Sequence, residues 1–364
     1  MSFYNGFAEA LQSVRTALSQ NTNINDPQNY SKQIGFLNYL FSSVNPRTIN
    51  TIMQETSNAS KYRPVQIKYT PHKGTGDLVT TDSSITCAKT NQRRDYINTY
   101  QPTLIASDKF TLEENWVRET LENGQSLATR LEKEFKEAMR VGRESIDYQL
   151  FSKAQGLIGA NPAAGVGKDE YYTVNMLKAD GTVDPDTFDV IRNHMEDNFM
   201  TGEPAIIGLG NARRVFNRWA IGNLNTSGGF DVREIANQFG SVLYKDHWTN
   251  TVFGETPSNK ALVMYPGLAQ FYQYNLYRGD FDRQTPDLAI KGTMPDPILP
   301  ITWDYKLSYD DDCENGNGLQ GAWTGTIFTY FDLFTVPEEA FGEPYGDLVD
   351  FNGIVGYEIG QASS

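Results

Sequence analysis

One stretch constrains this chain more than any other. Over residues 126–155, Leu127, Leu131, Phe135, Ala138, Met139, Ile146 and Leu150 fall along one helical face. Glu132, Lys133, Lys136, Glu137, Arg140, Arg143 and Glu144 are expected to occupy much of the rest. About thirty residues make roughly 45 Å of helix. Ser126 follows an Asn123-Gly124 break and reads as the N-cap. Upstream, residues 101–105 read as a strand, and Ser107 and Asp108 mark a change to helix. Thr111 with Glu114 forms a capping box for a short helix through Leu121.

The N-terminal region predicts helices. Phe7, Leu11, Val14 and Leu18 make a narrow apolar stripe. Ile34, Leu37, Leu40, Phe41 and Val44 make a second, and Asn45-Pro46 opens a third. They read either as an ordinary helical subdomain or as an arm that packs on neighbouring subunits. Residues 61–98 then change character. Val65, Ile67 and Tyr69 alternate with polar residues, residues 71–76 make a turn, and a Thr/Ser-rich return strand runs through Ile85 and Cys87. A two-stranded excursion with so few core residues needs a surface to lie on.

Its charge suggests which surface. Residues 61–94 hold Lys61, Arg63, Lys68, Lys73, Lys89, Arg93 and Arg94 against Asp77 and Asp82, a net of +5 in a chain of −14. Residues 304–350 hold eleven acids against Lys306, a net of −10. A basic hairpin laid on an acidic neighbour would steer docking and set register. Arg63, Lys68, Lys73, Arg93 and Arg94 are the candidate subunit-interface residues; simple solvation of a loop is the alternative.

Beyond the long helix come a Gly/Ala/Pro loop at 156–168 and a helix capped by Asp184-Pro185 carrying Phe188, Ile191 and Met195. A short strand at 204–207 and a helix at 211–220 follow. Strands are expected at 241–244, 261–265, 271–277, 303–307 and 324–334. No internal repeat is visible. With 39% hydrophobic and 21% charged residues the chain reads as globular. The acidic balance disfavours a sequence-specific nucleic-acid binder. Cys87 and Cys313, far apart, fit a reducing compartment. The opening MSFYNGFAEA predicts no signal peptide, and no apolar run predicts a membrane span.

Motifs of catalysis and metal binding fail one by one. Gly159 to Asp169 lacks the P-loop glycine spacing and the Ser/Thr after lysine. Gly208-Leu209-Gly210 is only a partial dinucleotide fingerprint. His194-Met195-Glu196 has no PCxxC partner, and three histidines (His72, His194, His247) make a zinc site improbable; His194 is expected on a polar helix face. Around Ser126 the final glycine of a nucleophile elbow is missing. Residues 310–317 are acidic but depart from the EF-hand pattern, leaving a hairpin tip or a weak cation site. No catalytic residue, metal or cofactor is expected.

The order of elements resembles the major capsid proteins of tailed bacteriophages of the Hong Kong 97 type. TYQPTLIASDKFTLEENW followed by QSLATRLEKEFKEAMRVGRESIDYQLF resembles that family's strand, short helix and spine helix. PAIIGLGNARRVFNRW resembles the start of its axial domain, and WDYKLSYDDDCENGNG with TGTIFTYFDLF its closing strands. The resemblance implies an α+β Hong Kong 97-like capsid fold. Its parts would be an N-terminal helical arm at 1–60, an extended β-hairpin loop at 61–99 and a peripheral domain with the spine helix at 100–183. An axial domain at 184–300 and closing strands with a C-terminal tail at 301–364 complete it. The implied function is self-assembly into hexamers and pentamers of an icosahedral shell around double-stranded DNA. Implied partners are further copies, scaffolding, portal and decoration proteins, and DNA held non-specifically; no membrane is involved. The implied location is the virion, assembled in the host cytoplasm. An encapsulin-like compartment, a carboxylate-dependent hydrolase and a tail component are the rival readings. Some members crosslink a loop lysine to a neighbour's asparagine, for which Lys68, Lys73 or Lys89 match no motif.

Overall fold

The computed structural model describes residues 3–20, 34–42, 54–55, 65–69, 96–100, 102–113, 127–175, 184, 186–198, 200, 203–208, 242–255, 258–264, 268–277, 283–284, 289–310, 314–315, 318–319, 322–335 and 350–360. Helices and sheets mix throughout, giving an α+β chain.

The long helix is present as Leu127–Gln155, and it organises the molecule. Numbering in chain order, it is α3; α1 is Phe3–Gln20 and α2 is Gly35–Ser42. A six-stranded antiparallel sheet lies against α3, in the order β10–β11–β12–β15–β4. These strands are Arg283–Gln284, Ile290–Pro295, Thr302–Asp310, Ala322–Thr335 and Leu104–Glu113. The sixth, β9 (Ala269–Tyr274), pairs with the far end of β15, on the side opposite β4. On β15, Trp323, Ile327 and Phe331 are buried while Thr324, Thr326, Phe328 and Tyr330 are only half-buried. That is the period-two pattern of a strand with one face on a core. Phe135 of α3 joins the layers, with its ring edge-on to Phe110 of β4 at 5.2 Å and to Tyr305 of β12 at 5.6 Å.

Gly142 lets the helix approach the sheet. A Cβ there would come within 2.4 Å of the Trp303 ring. The next residue, Arg143, is wholly buried and its Nη1 donates to both oxygens of Asp296, at 3.0 and 2.9 Å. Asp296 also accepts from the Trp303 indole and from the backbone N–H groups of Ile298 and Leu299. Arg143, Glu144 and Lys136 are therefore buried rather than on a solvated face. The helix is covered on more than one side, because α1 and α2 pack on it as well as the sheet. Leu11, Val14 and Leu18 of α1 are buried, and Phe36 of α2 stacks on Phe151 at 5.7 Å. The described N-terminal helices thus pack on their own chain.

A second sheet has the order β5–β16–β8–β6–β7. Its strands are Tyr171–Asn175, Ile354–Gly360, Lys260–Met264, Ala205–Gly208 and Val242–Tyr244. β6 is buried along its whole length and β8 along all but Lys260, as expected of central strands covered on both faces. Helix α4 (Thr187–Asp197) contributes buried Phe188, Ile191 and Met195, the residues its periodicity marks. Short helix α5 (Thr249–Phe253) packs between α3 and β8. Both sheets draw strands from more than one segment of the chain. Strands β9 and β11, from 184–300, pair with β15 and β12 from 301–364, while β16 near the C-terminus pairs with β5 and β8. Sheets recruit by hydrogen bonding across the chain, which contiguous composition does not encode.

One local expectation is overturned. Thr111 is not a helix N-cap: β4 runs unbroken to Glu113, with Thr111 opposite Thr324 and Glu113 opposite Ala322. A ladder of ten aligned residue pairs with β15 outweighs the two local hydrogen bonds that a capping box offers. The remainder of that short helix, the helix at 211–220, the third N-terminal helix, Cys87 and Cys313 lie outside the described residues.

Candidate assembly interface

The basic excursion begins where expected. β2 is Val65–Tyr69, and its antiparallel partner is β3, Tyr96–Tyr100, with Val65 opposite Tyr100 and Tyr69 opposite Tyr96. A short strand β1, Gln54–Glu55, adds to β2 on its other edge. The described partner of β2 is thus 96–100; the return strand expected through Ile85 and Cys87 lies outside the described residues. So do Arg63, Lys73, Arg93 and Arg94. Lys68 stands on β2 opposite Ile97.

The root of the excursion is tied to the body by a node that sequence reasoning missed. Between β3 and β4, the backbone N–H and hydroxyl of Thr103 both donate to Asp332 Oδ2, at 3.2 and 2.9 Å. Asp332 Oδ1 accepts from Lys153 on the last turn of α3 and from the N–H of Leu333. Asp332 is almost wholly buried. One carboxylate on β15 thus holds the end of the long helix and the point where the excursion rejoins the sheet. The only available signal was an acid in the alternating run of β15, one residue from buried Phe331 and Leu333.

Beside this root lies exposed apolar surface. Val141 and Tyr148, seven residues apart on α3, and Ile105 on β4 are exposed. Gln149 donates to the Ile105 carbonyl, which places helix and strand side by side there. Tyr148 also rests against Trp248, ring centroids 5.3 Å apart.

The acidic count of 304–350 overstates what a partner could meet. Asp332 is engaged internally, and so is Asp304, fully buried on β12. Asp304 accepts the N–H groups of Leu276 and Tyr277 at 2.6 and 3.1 Å. Burial pushes its pKa up to about 6, against the opposing pull of those N–H donors.

The rejected motifs have structural places. Pro162–Ala164 form one 3-10 turn, and Asn161 bridges Val166. His194 is not on a solvated face: it is half-buried, edge-on to Tyr172, with Nδ1 3.3 Å from the Tyr357 hydroxyl. Burial lowers its pKa. Within the acidic tip, β13 (Glu314–Asn315) pairs with β14 (Gly318–Leu319). Among the described residues, no group of three or more His, Cys, Asp or Glu side chains is placed to hold a metal ion. Nor is any helix there long and apolar enough to cross a membrane.

No protein-family model matches the chain, and no curated protein sequence matches it. Solved structures align with it over most of its length at low identity. The capsid asymmetric unit of Cyanophage A-1(L) is 12% identical, covering 87% of this chain and 95% of that one, with a TM-score of 0.47. The capsid asymmetric unit of Cyanophage Pam1 is 9% identical, covering 88% and 93%, with a TM-score of 0.45. The capsid of Myoviridae Phage XM1 is 9% identical, covering 91% and 94%, with a TM-score of 0.40.

Proposed function

We propose that this chain is the major capsid protein of a tailed bacteriophage, with a Hong Kong 97-like fold, tiling pentamers and hexamers into an icosahedral shell around double-stranded DNA. The observation that carries the reading is the excursion. A long, net-basic segment leaves a well-packed helix-on-sheet body through one short strand pair, and its root is clamped at Asp332. Such a segment has few apolar residues with which to build a core, so a neighbouring copy is its natural support. Heterologous contacts of this kind close into rings, and avidity over many neighbours makes modest contacts durable.

On this reading, residues 1–60 are the arm, 61–99 the extended loop, and 100–183 with the closing strands the peripheral domain. Residues 184–300 are mainly axial. Arg63, Lys68, Lys73, Arg93 and Arg94 contact the acidic surface of the next subunit. Scaffolding, portal and decoration proteins are partners, the chain acts without catalysis, and its place is the virion after assembly in host cytoplasm.

Electron microscopy and light scattering on the purified protein, alone and with the products of neighbouring genes, test this directly. Closed shells or their capsomers are expected. Shells that copurify a protein cargo and no DNA would instead favour the encapsulin-like compartment, and rods or trimers a tail component. The double reversal Arg93→Glu with Arg94→Glu is expected to leave the subunit folded by circular dichroism and to cut particle yield. Unchanged yield by sedimentation would remove the hairpin from the interface.

A further inference from the structure

Two carboxylates meet at the start of α2. Asp147 of α3 is wholly buried, and its Oδ1 accepts the Leu37 N–H at 2.9 Å. Its Oδ2 is also buried and, among the described residues, accepts no hydrogen bond as a carboxylate. Asp246, just past β7, is 5% exposed. Its Oδ2 accepts the Phe36 N–H at 2.9 Å, and its Oδ1 accepts the Trp248 N–H at 2.7 Å. The two acids therefore take consecutive N–H groups of one helical turn. Gly35 makes the approach possible: a Cβ there would stand 2.3 Å from the Lys245 carbonyl oxygen.

A helix N-terminus offers about half a positive charge. Two ionised carboxylates bring two negatives, and like charges sharing a buried site do not both ionise. The surroundings supply little relief. α2 carries no charged residue. On α3, Arg143 is committed to Asp296, Glu144 binds Arg140, and Lys153 binds Asp332. From the 245–248 turn, Lys245 and His247 are exposed, and Trp248 presents its ring to Tyr148. From β7, Tyr244 meets Tyr39 and the Ser42 hydroxyl. Burial, then the charge of Asp246, raises the pKa of Asp147 well above the ordinary carboxylate range, and burial raises that of Asp246.

We propose that Asp147 and Asp246 form a proton-held latch, in which the carboxyl pair keeps a shared proton while α2 is docked on α3 and releases it when α2 lifts. The proton sits on Asp147 Oδ2, giving that orphan atom a donor role toward Asp246. The latch makes attachment of the N-terminal helices proton-linked. Its sign follows from the raised affinity. An undocked aspartate ionises above about pH 4, whereas the docked pair does not. Docking is thus most favourable in acid, and opening grows up to tenfold per pH unit above about pH 4. The growth ends at the pKa of the docked pair. The inference is independent of the capsid reading and holds for the free subunit.

Amide hydrogen exchange of Phe36 to Leu40, in the full chain from about pH 5 to about pH 8, is the test. Opening constants corrected for intrinsic exchange are compared with those of Asp147→Asn, whose amide keeps the acceptor, adds a donor and does not titrate. The ratio of unmodified to variant opening should climb with pH and then level off; a flat ratio would sink the latch. Asp246→Asn serves if the first variant does not fold. Infrared spectroscopy of the unmodified protein is a separate arm. At about pH 5 the unmodified protein should show a protonated carboxyl band that Asp147→Asn removes, and identical spectra would equally overturn the proposal.

Discussion

Helix α3 buries two polar side chains one turn apart, and they are answered in opposite ways. Arg143 turns to the six-stranded sheet and meets a carboxylate, with a tryptophan and two backbone N–H groups completing the shell around Asp296. Asp147 turns to α2 and meets another acid. The first arrangement pairs opposite charges and is neutral as a unit. The second is neutral enough to bury only if it holds a proton. The same helix is therefore fixed to the sheet by a charge pair and to the N-terminal helices by a titratable one. A buried opposite-charge pair fixes geometry, whereas a buried like-charge pair makes geometry depend on the solution.

The comparison breaks most visibly at Asp296. Asp296→Ala leaves Arg143 buried without its partner, and urea denaturation should read a loss of about 3–5 kcal/mol. The double change Arg143→Met with Asp296→Leu should recover most of it, because apolar groups of similar size need no charge balance. A double variant as weak as the single one would mean that Asp296 matters through the Ile298–Leu299 turn and not through the charge pair.

Asp304 sharpens the comparison from the acid side, being a buried carboxylate answered by neutral donors, the Leu276 and Tyr277 N–H groups and the Asn275 side chain. Its pKa, pushed up to about 6, exceeds the unfolded value of about 4. The folded state thus binds the proton more tightly, and stability falls as pH rises from about 4 to about 6. The integrated loss is on the order of 3 kcal/mol, at 1.4 kcal/mol per unit. The difference in stability between the unmodified protein and Asp304→Asn, followed over that window, should move by this amount. A constant difference would show that Asp304 is already ionised at pH 4.

Gly142→Ala tests the close approach itself. Alanine in a helix interior normally gains about 1 kcal/mol over glycine. Here the added carbon would stand 2.4 Å from the Trp303 ring, and overpacking of that kind costs about 1–3 kcal/mol. A net loss is expected, and a gain would mean that Trp303 has room to move.

These particulars mark how far the sequence could be read. The ends of α3 were legible to within a residue, because a long apolar stripe repeats its signal turn after turn. β15 was legible because strict alternation ran most of its length. The extent of β4 was not, since a capping-box pattern at Thr111 and Glu114 is local while the strand's reason lies on β15. β5 and β16 escaped for the same cause: each has its partners far along the chain. Arg143 was expected among the polar residues off the apolar stripe. One hint existed: a residue four before Asp147 and four after Met139 falls on the stripe's own face, which puts Arg143 beside the core. Nothing in the sequence could pair Asp147 with Asp246, because 45 acids offer too many partners. Of the candidate interface, the charge asymmetry was readable and the clamp at Asp332 was not.

The smallest effect is expected on the exposed side of the same helix, and it closes the comparison. Arg140 bridges Glu137 and Glu144 at i−3 and i+4, an opposite-charge arrangement like Arg143 with Asp296 but open to water on the Glu137 side. The Arg140 hydrogen bond lowers the pKa of Glu137, so its contribution is present at neutral pH and is lost as pH falls below the ordinary glutamate range. Solvent screening leaves such a pair worth about 0.5 kcal/mol. Glu137→Gln should therefore shift the urea midpoint barely, and added salt should erase the difference. A loss approaching that of Asp296→Ala would mean that charge pairing, and not burial, sets the strength of the α3 contacts, and the contrast between its two faces would fall.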